Sequence, residues 1–579
     1  MKRIVSGFRK MNPFEPALVG SLKQYSVEKL GADITAGVIV GIIALPLAMA
    51  LGIASGVTPE AGLFTAIVAG FVISLLGGSR FQVSGPTGAF VVVIYSIVQN
   101  YGIGLLPLCT IMAGIILLLM GFCGLGKVIK FIPHPVTMGF TTGIAVVLLL
   151  GQIKDFLGLP IQNLPADSFG RIKVYLFNLK LLDPQSLGIG LLTLGILFFW
   201  PKKYLPKIPI TLIALVIPTV LVYIFKLPVE TIIDRFPSGI PQSLPKITVP
   251  VFSIKAFCDL ISPAFTIALL GAMESLLSAV VADSLTDDRH NSNQELMGQG
   301  IGNIFSGFFG GIPATGAIAR TAANIRSGAH SPVSGIVHAI VLLLIVLVAS
   351  PLANLIPLTA LSAVLIMVAV NMGEWHEFQR FKRVPISDFA VFITVFALTI
   401  LAGITVAVEI GLVLAALLFS KRVADISNLS GLYEVSSILS NRENSLANVN
   451  LPEGVQAFRI QGAFFFGTAD KLETALRRAQ QDTRVTILML DQVIDIDSTG
   501  LNALESFYER LVKTNSHLIL CNVPSRPLRV LIRSGFICTI GKDHFAQSLD
   551  DAIIKAQALC KVEESFDTLP ASAPENGKF

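Results

Sequence analysis

Two short stretches hold the residues of this sequence whose types and spacing are best suited to binding a charged ligand. Residues 83–89 read VSGPTGA, and residues 310–320 read GGIPATGAIAR. Each has a proline, then Thr-Gly-Ala, and then an apolar run that is too short to cross a bilayer alone. Gly- and Pro-interrupted segments at corresponding places in two halves of a chain are typical of a transporter's binding site.

Helix N-termini are the chemistry that these two stretches offer. A helix start presents unpaired N–H groups and about half a positive charge, so two starts that face each other bind an anion. Glycine lets a ligand approach the backbone closely, and threonine adds a hydroxyl donor. The alternative is that both stretches only begin two packed helices. The predicted substrate-binding residues at the two starts are Thr87, Gly88, Ala89, Thr315, Gly316 and Ala317.

Arg320 lies about one turn into the second short helix. An arginine at membrane depth is costly, which points to a function. We predict that it belongs to the substrate site, where it would attract the anion or pair with Glu274. The alternative is an arginine that snorkels from a helix end to the membrane surface.

Glu274 stands in an otherwise apolar segment, and Ser278, four residues later, falls on the same helical face. We predict that Glu274 binds the coupling ion. A proton is favoured over sodium, because apolar surroundings favour the neutral form of a carboxyl group. A fixed structural partnership between Glu274 and Arg320 is the alternative. A structural role is predicted for Glu409, and packing in the core or at an interface for the two histidines His134 and His338, which are flanked by apolar residues.

Composition places these residues in a polytopic membrane protein. The 579 residues are 53% hydrophobic and 14% charged, against about 25% charged in soluble domains. The net charge of +5 is small and unevenly spread, so nucleic acid is not an expected partner. The six cysteines form no CxxC or Cys/His cluster, so neither a metal site nor a cofactor is expected. No paired carboxylates, Cys/His pair or phosphate loop indicates an enzyme, and no cleaved signal peptide is expected.

Two sets of seven apolar segments follow a predicted N-terminal tail at 1–30, and the short, broken segment is third in each set. The transmembrane domain is predicted at 31–422, with repeats at about 31–226 and 260–422. The predicted spans lie near 33–55, 61–76, 86–100, 105–122, 133–153, 187–201, 208–226, 262–283, 295–309, 313–326, 333–350, 355–372, 386–402 and 404–420.

Loop charges orient these spans. With the N-terminus inside, most basic loop residues fall on the cytoplasmic side, as the positive-inside rule requires. An odd number of spans in each half inverts the second half, and an even total places both termini in the cytoplasm of a bacterium, with the spans in its inner membrane. Five basic residues in two long external stretches depart from the pattern: Lys154, Arg171, Lys173, Lys180 and Lys246.

The C-terminal part has the pattern of a soluble α/β domain. Strands are predicted at 455–466, 485–490 and 518–521, and helices at 469–481, 499–513, 526–534 and 549–559. Alternating strands and helices indicate a small sheet with helices packed on it. The predicted layout is a linker at 423–453, the α/β domain at 454–560 and a disordered tail at 561–579.

The motifs of the whole chain resemble the SulP/SLC26 anion transporters, which carry a C-terminal STAS domain. Within that family the sequence is most similar to the branch of C4-dicarboxylic acid transporters of enteric bacteria, through residues 271–277 and 318–324. The wider resemblance rests on residues 33–37 (DITAG), 44–50 (ALPLAMA), 56–63 (GVTPEAGL), 84–88 (SGPTG) and 293–303 (NQELMGQGIGN).

This resemblance implies an α-helical fold of fourteen transmembrane segments in a 7+7 inverted repeat, with a cytoplasmic α/β STAS domain. A core domain (spans 1–4 and 8–11) would move against a gate domain (spans 5–7 and 12–14), and members are typically dimers. In the family an arginine at the position of Arg320 lies next to the anion. In sodium-coupled members an acidic and a hydroxyl residue at the positions of Glu274 and Ser278 hold the ion.

Residues 495–501 (DIDSTGL) match the strand-to-helix signature of STAS domains. By resemblance, Ser498 stands where soluble STAS proteins carry a phosphorylated serine, and a helix N-terminus suits a phosphate. We therefore predict a regulatory role for Ser498, with N-capping as the alternative.

Together with these patterns, the resemblance implies proton-coupled uptake of C4-dicarboxylates (succinate, fumarate, aspartate) by an elevator-like alternating-access mechanism. One alternative is a bicarbonate or sulfate transporter, with sodium as the candidate coupling ion. A second is an anion channel or signalling receptor that acts through the STAS domain. The expected partners are a small anion, H+ or Na+, the lipid bilayer, a second copy of the chain, and a cytoplasmic protein bound by the STAS domain.

Overall fold

The fold was obtained as a computed structural model, which describes residues 14–23, 25–127, 133–161, 164–165, 167–200, 209–250, 252–380, 385–426, 428–431, 451–464 and 483–567. The chain divides into two units, Met1–Ala415 and Ala416–Phe579. The first is the helical membrane unit, and the second contains the end of its last helix, which continues to Ile426, followed by an α/β domain.

The helices of the first unit follow the predicted segments closely. Each of the fourteen predicted spans coincides with a described helix. In chain order the helices are α1 (Ala17–Leu22), α2 (Val27–Ala54), α3 (Pro59–Leu76), α4 (Gly88–Tyr101), α5 (Leu106–Phe122), α6 (His134–Phe156), α7 (Ser168–Asn178), α8 (Pro184–Phe199), α9 (Ile210–Phe225), α10 (Ile232–Arg235), α11 (Ile254–Thr286), α12 (Ser292–Phe308), α13 (Ile318–Arg326), α14 (Val333–Ala353), α15 (Leu358–Met372), α16 (Glu377–Arg380), α17 (Ile386–Leu401) and α18 (Ile404–Ile426).

Seven helices of the described chain are long and apolar enough to cross a membrane, and α7 with α8, bent by 115°, adds an eighth if the pair is one span. The helices α4 and α13 are short, as predicted, and each follows the proline of one of the two stretches 83–89 and 310–320, which are called the two breaks below. Several bounds differ from the prediction, and the two largest differences at a helix start are those of α2 and α11. The helix α2 begins at Val27, where Ser26 accepts a hydrogen bond from the Lys29 N–H, and α11 begins at Ile254, after the cap Ser253. A serine cap accepts a hydrogen bond from an N–H group of the first turn, and a hydropathy profile does not detect this signal for a helix start.

The predicted N-terminal tail is partly structured. The helix α1 lies inside it, and the Ala17 N–H donates to the carbonyl of Gly77 at the end of α3. Tyr25 donates its hydroxyl to the Asp33 carboxylate at 2.7 Å. Burial and this bond raise the pKa of Tyr25 to about 12, so the hydroxyl remains a donor at neutral pH.

Asp33 explains the first of the resemblance motifs. The side chain is fully buried and accepts hydrogen bonds from the His330 N–H at 2.6 Å and from the Ser331 N–H and hydroxyl. These bonds join the start of α2 to the loop before α14. Gly37 continues the contact, since a Cβ there would lie 2.5 Å from the Ser334 carbonyl oxygen. Small residues allow such close helix packing in membranes.

A two-stranded ribbon joins the two breaks. Strand β1 (Ser84–Gly85) pairs antiparallel with β2 (Thr315–Gly316), and the Ala317 N–H donates to the Val83 carbonyl at 3.0 Å. Backbone freed from helices at membrane depth needs partners inside the protein. The ribbon supplies them, and it brings the starts of α4 and α13 together.

The second unit contains a five-stranded sheet in the order β3-β4-β5-β6-β7, parallel except for the β3–β4 pair. Helices cover both faces, α19, α20 and α21 on one and α22 on the other, against two apolar clusters. The elements are β3 (Asn428–Gly431), β4 (Val455–Phe464), β5 (Val485–Ile496), α19 (Ser498–Lys513), β6 (His517–Cys521), α20 (Ser525–Ser534), α21 (Phe536–Ile540), β7 (Phe545–Ala546) and α22 (Leu549–Asp567).

Two predicted boundaries of this unit are corrected. Strand β3 lies inside the stretch 423–453 that was interpreted as a linker; its four residues are too short and polar to give a strand pattern. The helix α22 runs to Asp567, beyond the predicted start of the tail at 561, because Lys561, Glu563 and Glu564 are good helix formers. The helix predicted at 469–481 lies outside the described residues, as do residues 568–579 of the predicted tail.

Candidate anion-binding site

The start of α4 has free backbone donors. Thr87 occupies the N-cap position, but its hydroxyl does not cap the helix; it donates to Glu274 Oε2 at 2.8 Å. Within the described part of the chain, the Gly88 and Ala89 N–H groups form no hydrogen bond. The first predicted anion donor set is therefore present, except that the Thr87 hydroxyl is engaged by the predicted coupling acid.

The start of α13 differs, because its predicted donors are bonded within the protein. The Gly316 N–H donates to Ser275 Oγ at 3.1 Å, and the Ser275 and Thr315 hydroxyls lie 2.7 Å apart. The Thr315 hydroxyl donates to the Gly271 carbonyl at 3.1 Å, so the chain of hydrogen bonds ends on α11. With the Ala317 N–H bonded to the ribbon, these three residues hold the site together in this conformation.

Gly316 also has a steric role that was not predicted. A Cβ at this position would lie 2.1 Å from Gln82 Nε2, so the space expected for a ligand is filled by the Gln82 side chain. At Gly88 the nearest atom to a built Cβ is Met372 Sδ at 3.4 Å, an ordinary contact. The two glycines stand at corresponding positions, but only Gly88 leaves room at its backbone.

A buried carboxylate supports the ribbon from behind. Glu295 Oε2 accepts the N–H groups of Gly78 at 2.8 Å and Ser79 at 3.0 Å, while Oε1 accepts from Gln82 at 2.8 Å and Gln299 at 2.9 Å. All four acceptor positions are filled, which is how a charge becomes tolerable in a protein interior. The motif at 293–303 marked this stretch, but hydropathy alone gave no sign of its role.

Arg320 is buried, with 4% of its surface exposed. Its Nη2 donates to the Pro86 carbonyl, and Nη1 finds no acceptor among the described residues. Among the ion pairs of the described residues, none within 4 Å joins Arg320 to Glu274, so the direct pairing predicted for these two residues is absent. Burial also excludes a snorkelling arginine. The unpaired Nη1 of Arg320 therefore lies close to Pro86, the residue that precedes Thr87.

Glu274 and Ser278 share a face of α11, as their spacing predicted, but contact different elements. Glu274 is bonded to Thr87 at the first break, whereas the Ser278 hydroxyl donates to Thr321 Oγ1 on α13 at 3.1 Å. Thr321 also accepts the Val83 N–H. The helix α11 thus holds both breaks. Ser275 has the central role in this and was missed, because a serine in an apolar helix carries no pattern of its own.

Within the described part of the chain, the remaining predicted residues form no hydrogen bond to this site. Glu409 is exposed on α18, and His338 is buried on α14, where a packing role was predicted. His134 is exposed at the start of α6, so a core position is wrong for it, while packing at an interface stays a prediction. Ser498 is exposed at the first position of α19. The cap of that helix is Asp497, which accepts the Gly500 N–H at 2.7 Å, so N-capping by Ser498 is wrong.

Comparisons with known proteins agree with this architecture. The model of the sulfate permease family matches residues 30–395, and that of the STAS domain matches residues 447–552. The putative sulfate transporter YvdB of Bacillus subtilis is 38% identical over 92% of this chain and 99% of its own length. The bicarbonate transporter BicA of a Picosynechococcus strain is 32% identical over 90% of this chain and 94% of its own.

Two solved structures have a similar fold. The transmembrane domain of a cyanobacterial BicA is 34% identical and matches with a TM-score of 0.60, covering 68% of this chain and 99% of its own. The murine anion transporter Slc26a9 in an inward-facing state, 18% identical, matches with a TM-score of 0.83 over 96% of this chain and 95% of its own. The relatives are named for sulfate and bicarbonate, which corrects the predicted placement in the C4-dicarboxylic acid branch.

Proposed function

We propose that this chain, which belongs to the sulfate permease family of anion transporters, carries bicarbonate or sulfate across a bacterial plasma membrane. It is a multi-pass transporter with a STAS domain and not an enzyme. The names of its relatives favour an inorganic oxyanion over the C4-dicarboxylates that the sequence suggested first.

The observation that carries the proposal is a set of unpaired positive groups at the start of α4. The N–H groups of Gly88 and Ala89 and the Arg320 Nη1 have no acceptor among the described residues. Leaving a buried donor without a partner costs about 1–3 kcal/mol. An oxyanion supplies several acceptors at once and a negative charge that the helix start stabilises.

Thr87 offers a means of coupling this anion to a proton. In the structure its hydroxyl donates to the Glu274 carboxylate. When a proton from outside binds Glu274, the carboxyl O–H becomes the donor to the Thr87 oxygen, and the hydroxyl hydrogen of Thr87 is free to turn to the anion. Release of the proton to the cytoplasm reverses the bond and weakens anion binding. Sodium bound at Glu274 and Ser278 is the alternative coupling ion.

Transport then requires the site to face each side of the membrane in turn. The helices of the predicted core domain pack backbone to backbone: a Cβ at Gly300 of α12 would lie 2.5 Å from the Leu118 N of α5. Such contacts do not slide, so they support a core that moves as one body against the gate, like an elevator. A homodimer, with both termini in the cytoplasm and a cytoplasmic protein bound by the STAS domain, completes the proposal.

A panel of labelled anions in proteoliposomes tests the substrate. We expect bicarbonate or sulfate to accumulate under an inward proton gradient, and succinate to compete weakly. Strong uptake of succinate alone would restore the dicarboxylate hypothesis. Uptake that follows only the anion's own gradient would indicate a channel. Uptake that requires sodium and does not change with pH would show that sodium, and not a proton, is the coupling ion.

Glu274→Gln tests the coupling. The amide keeps the shape but cannot exchange a proton, so we expect proton-driven accumulation to disappear while anion exchange without a gradient persists. Glu409→Gln, at an exposed position on α18, is the matched control and should accumulate anion normally. Full accumulation by Glu274→Gln would move the coupling site elsewhere.

A further inference from the structure

A cavity of about 420 Å³ lies along the C-terminal half of α4, away from the helix start that forms the anion site. One side is formed by α4 and α11, which belong to the predicted core domain. The other side is formed by α7 and the end of α17, on the predicted gate side. Polar side chains in its wall include Tyr95, Ser96, Asn100, Arg171, Asp259 and Thr399.

Arg171 is the only cation among the residues that line this cavity, and only 6% of its surface is exposed. Its Nε donates to the Pro165 carbonyl at 2.8 Å, and its guanidinium carbon lies 4.7 Å from the centroid of the Tyr95 ring. The Tyr95 hydroxyl in turn donates to the Leu164 carbonyl at 3.1 Å. These contacts fix the plane of the guanidinium, while Nη1 and Nη2 have no acceptor within the described ranges.

Two carboxylates share the wall of the cavity and limit its affinity for anions. Asp167 Oδ2 accepts the Gly170 N–H at 2.6 Å as the cap of α7, and Asp259 is exposed on α11. Neither forms an ion pair with Arg171 within 4 Å in the described structure. The Arg171 guanidinium therefore attracts a bound anion at contact distance, while the carboxylates of Asp167 and Asp259 repel it. A weak site of this kind suits transport, because an anion must leave it again.

We propose that Arg171, held by Tyr95, is a docking site where the transported oxyanion binds on the outer side before it reaches the start of α4. The inference rests on the proposed function and on the predicted external position of the stretch between α6 and α8. It also gives a function to Arg171, one of the five basic residues that depart from the positive-inside pattern. A planar guanidinium presents two parallel N–H donors that match two oxygens of bicarbonate or sulfate.

The test compares transport from the two faces of the membrane. For Arg171→Gln we expect the KM for the external anion, measured by influx into right-side-out vesicles, to rise about tenfold, as the loss of one charge-assisted hydrogen bond implies. The Vmax, and the KM for efflux from the inner side, should not change. Lys173→Gln removes a charge from an exposed position on the same helix, outside the cavity wall, and should leave all three constants unchanged.

A second variant keeps the proposal testable if Arg171→Gln folds poorly. Asp259→Asn, at an exposed position, removes repulsion and should lower the external KM. An unchanged external KM in either variant, or an equal change at both faces, would overturn the docking site. Failure of the wild-type protein to carry either anion would instead overturn the proposed function itself.

Discussion

Thr87 is the residue at which the anion site and the coupling acid meet. Its backbone begins α4, and its hydroxyl reaches Glu274 on α11. The sequence pointed to Thr87 as an anion donor and to Glu274 as a proton acceptor, but it did not indicate that one side chain serves both. Because that contact joins residues far apart in the chain, no local pattern records it.

Thr87→Val tests this link with almost no change in volume. The variant leaves Glu274 without its donor, and losing a hydrogen bond to a charged group costs about 1.5–3 kcal/mol. We expect the Vmax of proton-driven uptake to fall at least about tenfold, since 1.4 kcal/mol corresponds to a factor of ten. Thr87→Ser keeps the hydroxyl and should stay near the wild-type rate. Equal rates for the valine and serine variants would exclude coupling through this bond.

The two glycines of the breaks give a contrast at the same scale. In Gly316→Ala the new Cβ would lie 2.1 Å from the position of Gln82 Nε2. The Gln82 side chain would have to move, and its hydrogen bond to Glu295 would be lost. Overpacking of this kind costs about 1–3 kcal/mol, so we expect a lower melting temperature in detergent and little transport. In Gly88→Ala the contact at 3.4 Å is tolerable, and the melting temperature should be unchanged. A larger loss of stability at Gly88 would contradict the asymmetry found here.

At the scale of elements, the ribbon β1–β2 decides the geometry of the site. Proline and glycine positions are local signals, and they predicted correctly that a short helix follows each break, although α13 begins at Ile318 and not near 313 as predicted. The pairing of Ser84 with Gly316 and of Gly85 with Thr315 joins the two repeats, and a two-residue strand is too short to leave a pattern. The hydrogen bonds of Thr315 and Gly316 go to Gly271 and Ser275 of α11, about 40 residues earlier in the chain, so their donor role could not be judged from the sequence.

Glu295→Gln tests whether the ribbon depends on its buried carboxylate. The amide nitrogen would face donors where an oxygen now accepts, and each buried donor left unpaired costs about 1–3 kcal/mol. We expect a marked fall in melting temperature and in uptake, measured on purified protein. Glu28→Gln, exposed in the first turn of α2, is the control and should behave as wild type. A stable, active Glu295→Gln protein would mean that the four bonds do not hold the ribbon.

At the scale of the whole molecule, the chain separates into a unit that holds every contact of the anion site and a unit that holds none of them. The hydropathy pattern predicted this division well, because a bilayer and water select very different compositions. It was less successful at the junction: β3, which completes the sheet, lies where a linker was expected. Four residues that gain order only from an antiparallel partner look like a linker in the sequence.

Removal of residues 427–579 tests that division of labour. The cut follows the last residue of α18, so all described helices of the membrane unit remain whole. Since Thr87, Glu274 and Arg320 all belong to that unit, we expect the truncated protein to keep the same order of preference among bicarbonate, sulfate and succinate in competition assays. Its rate is free to change, because a STAS domain that regulates acts on turnover. A changed order of preference would place part of substrate selection in the α/β domain, and the anion site described here would then be incomplete.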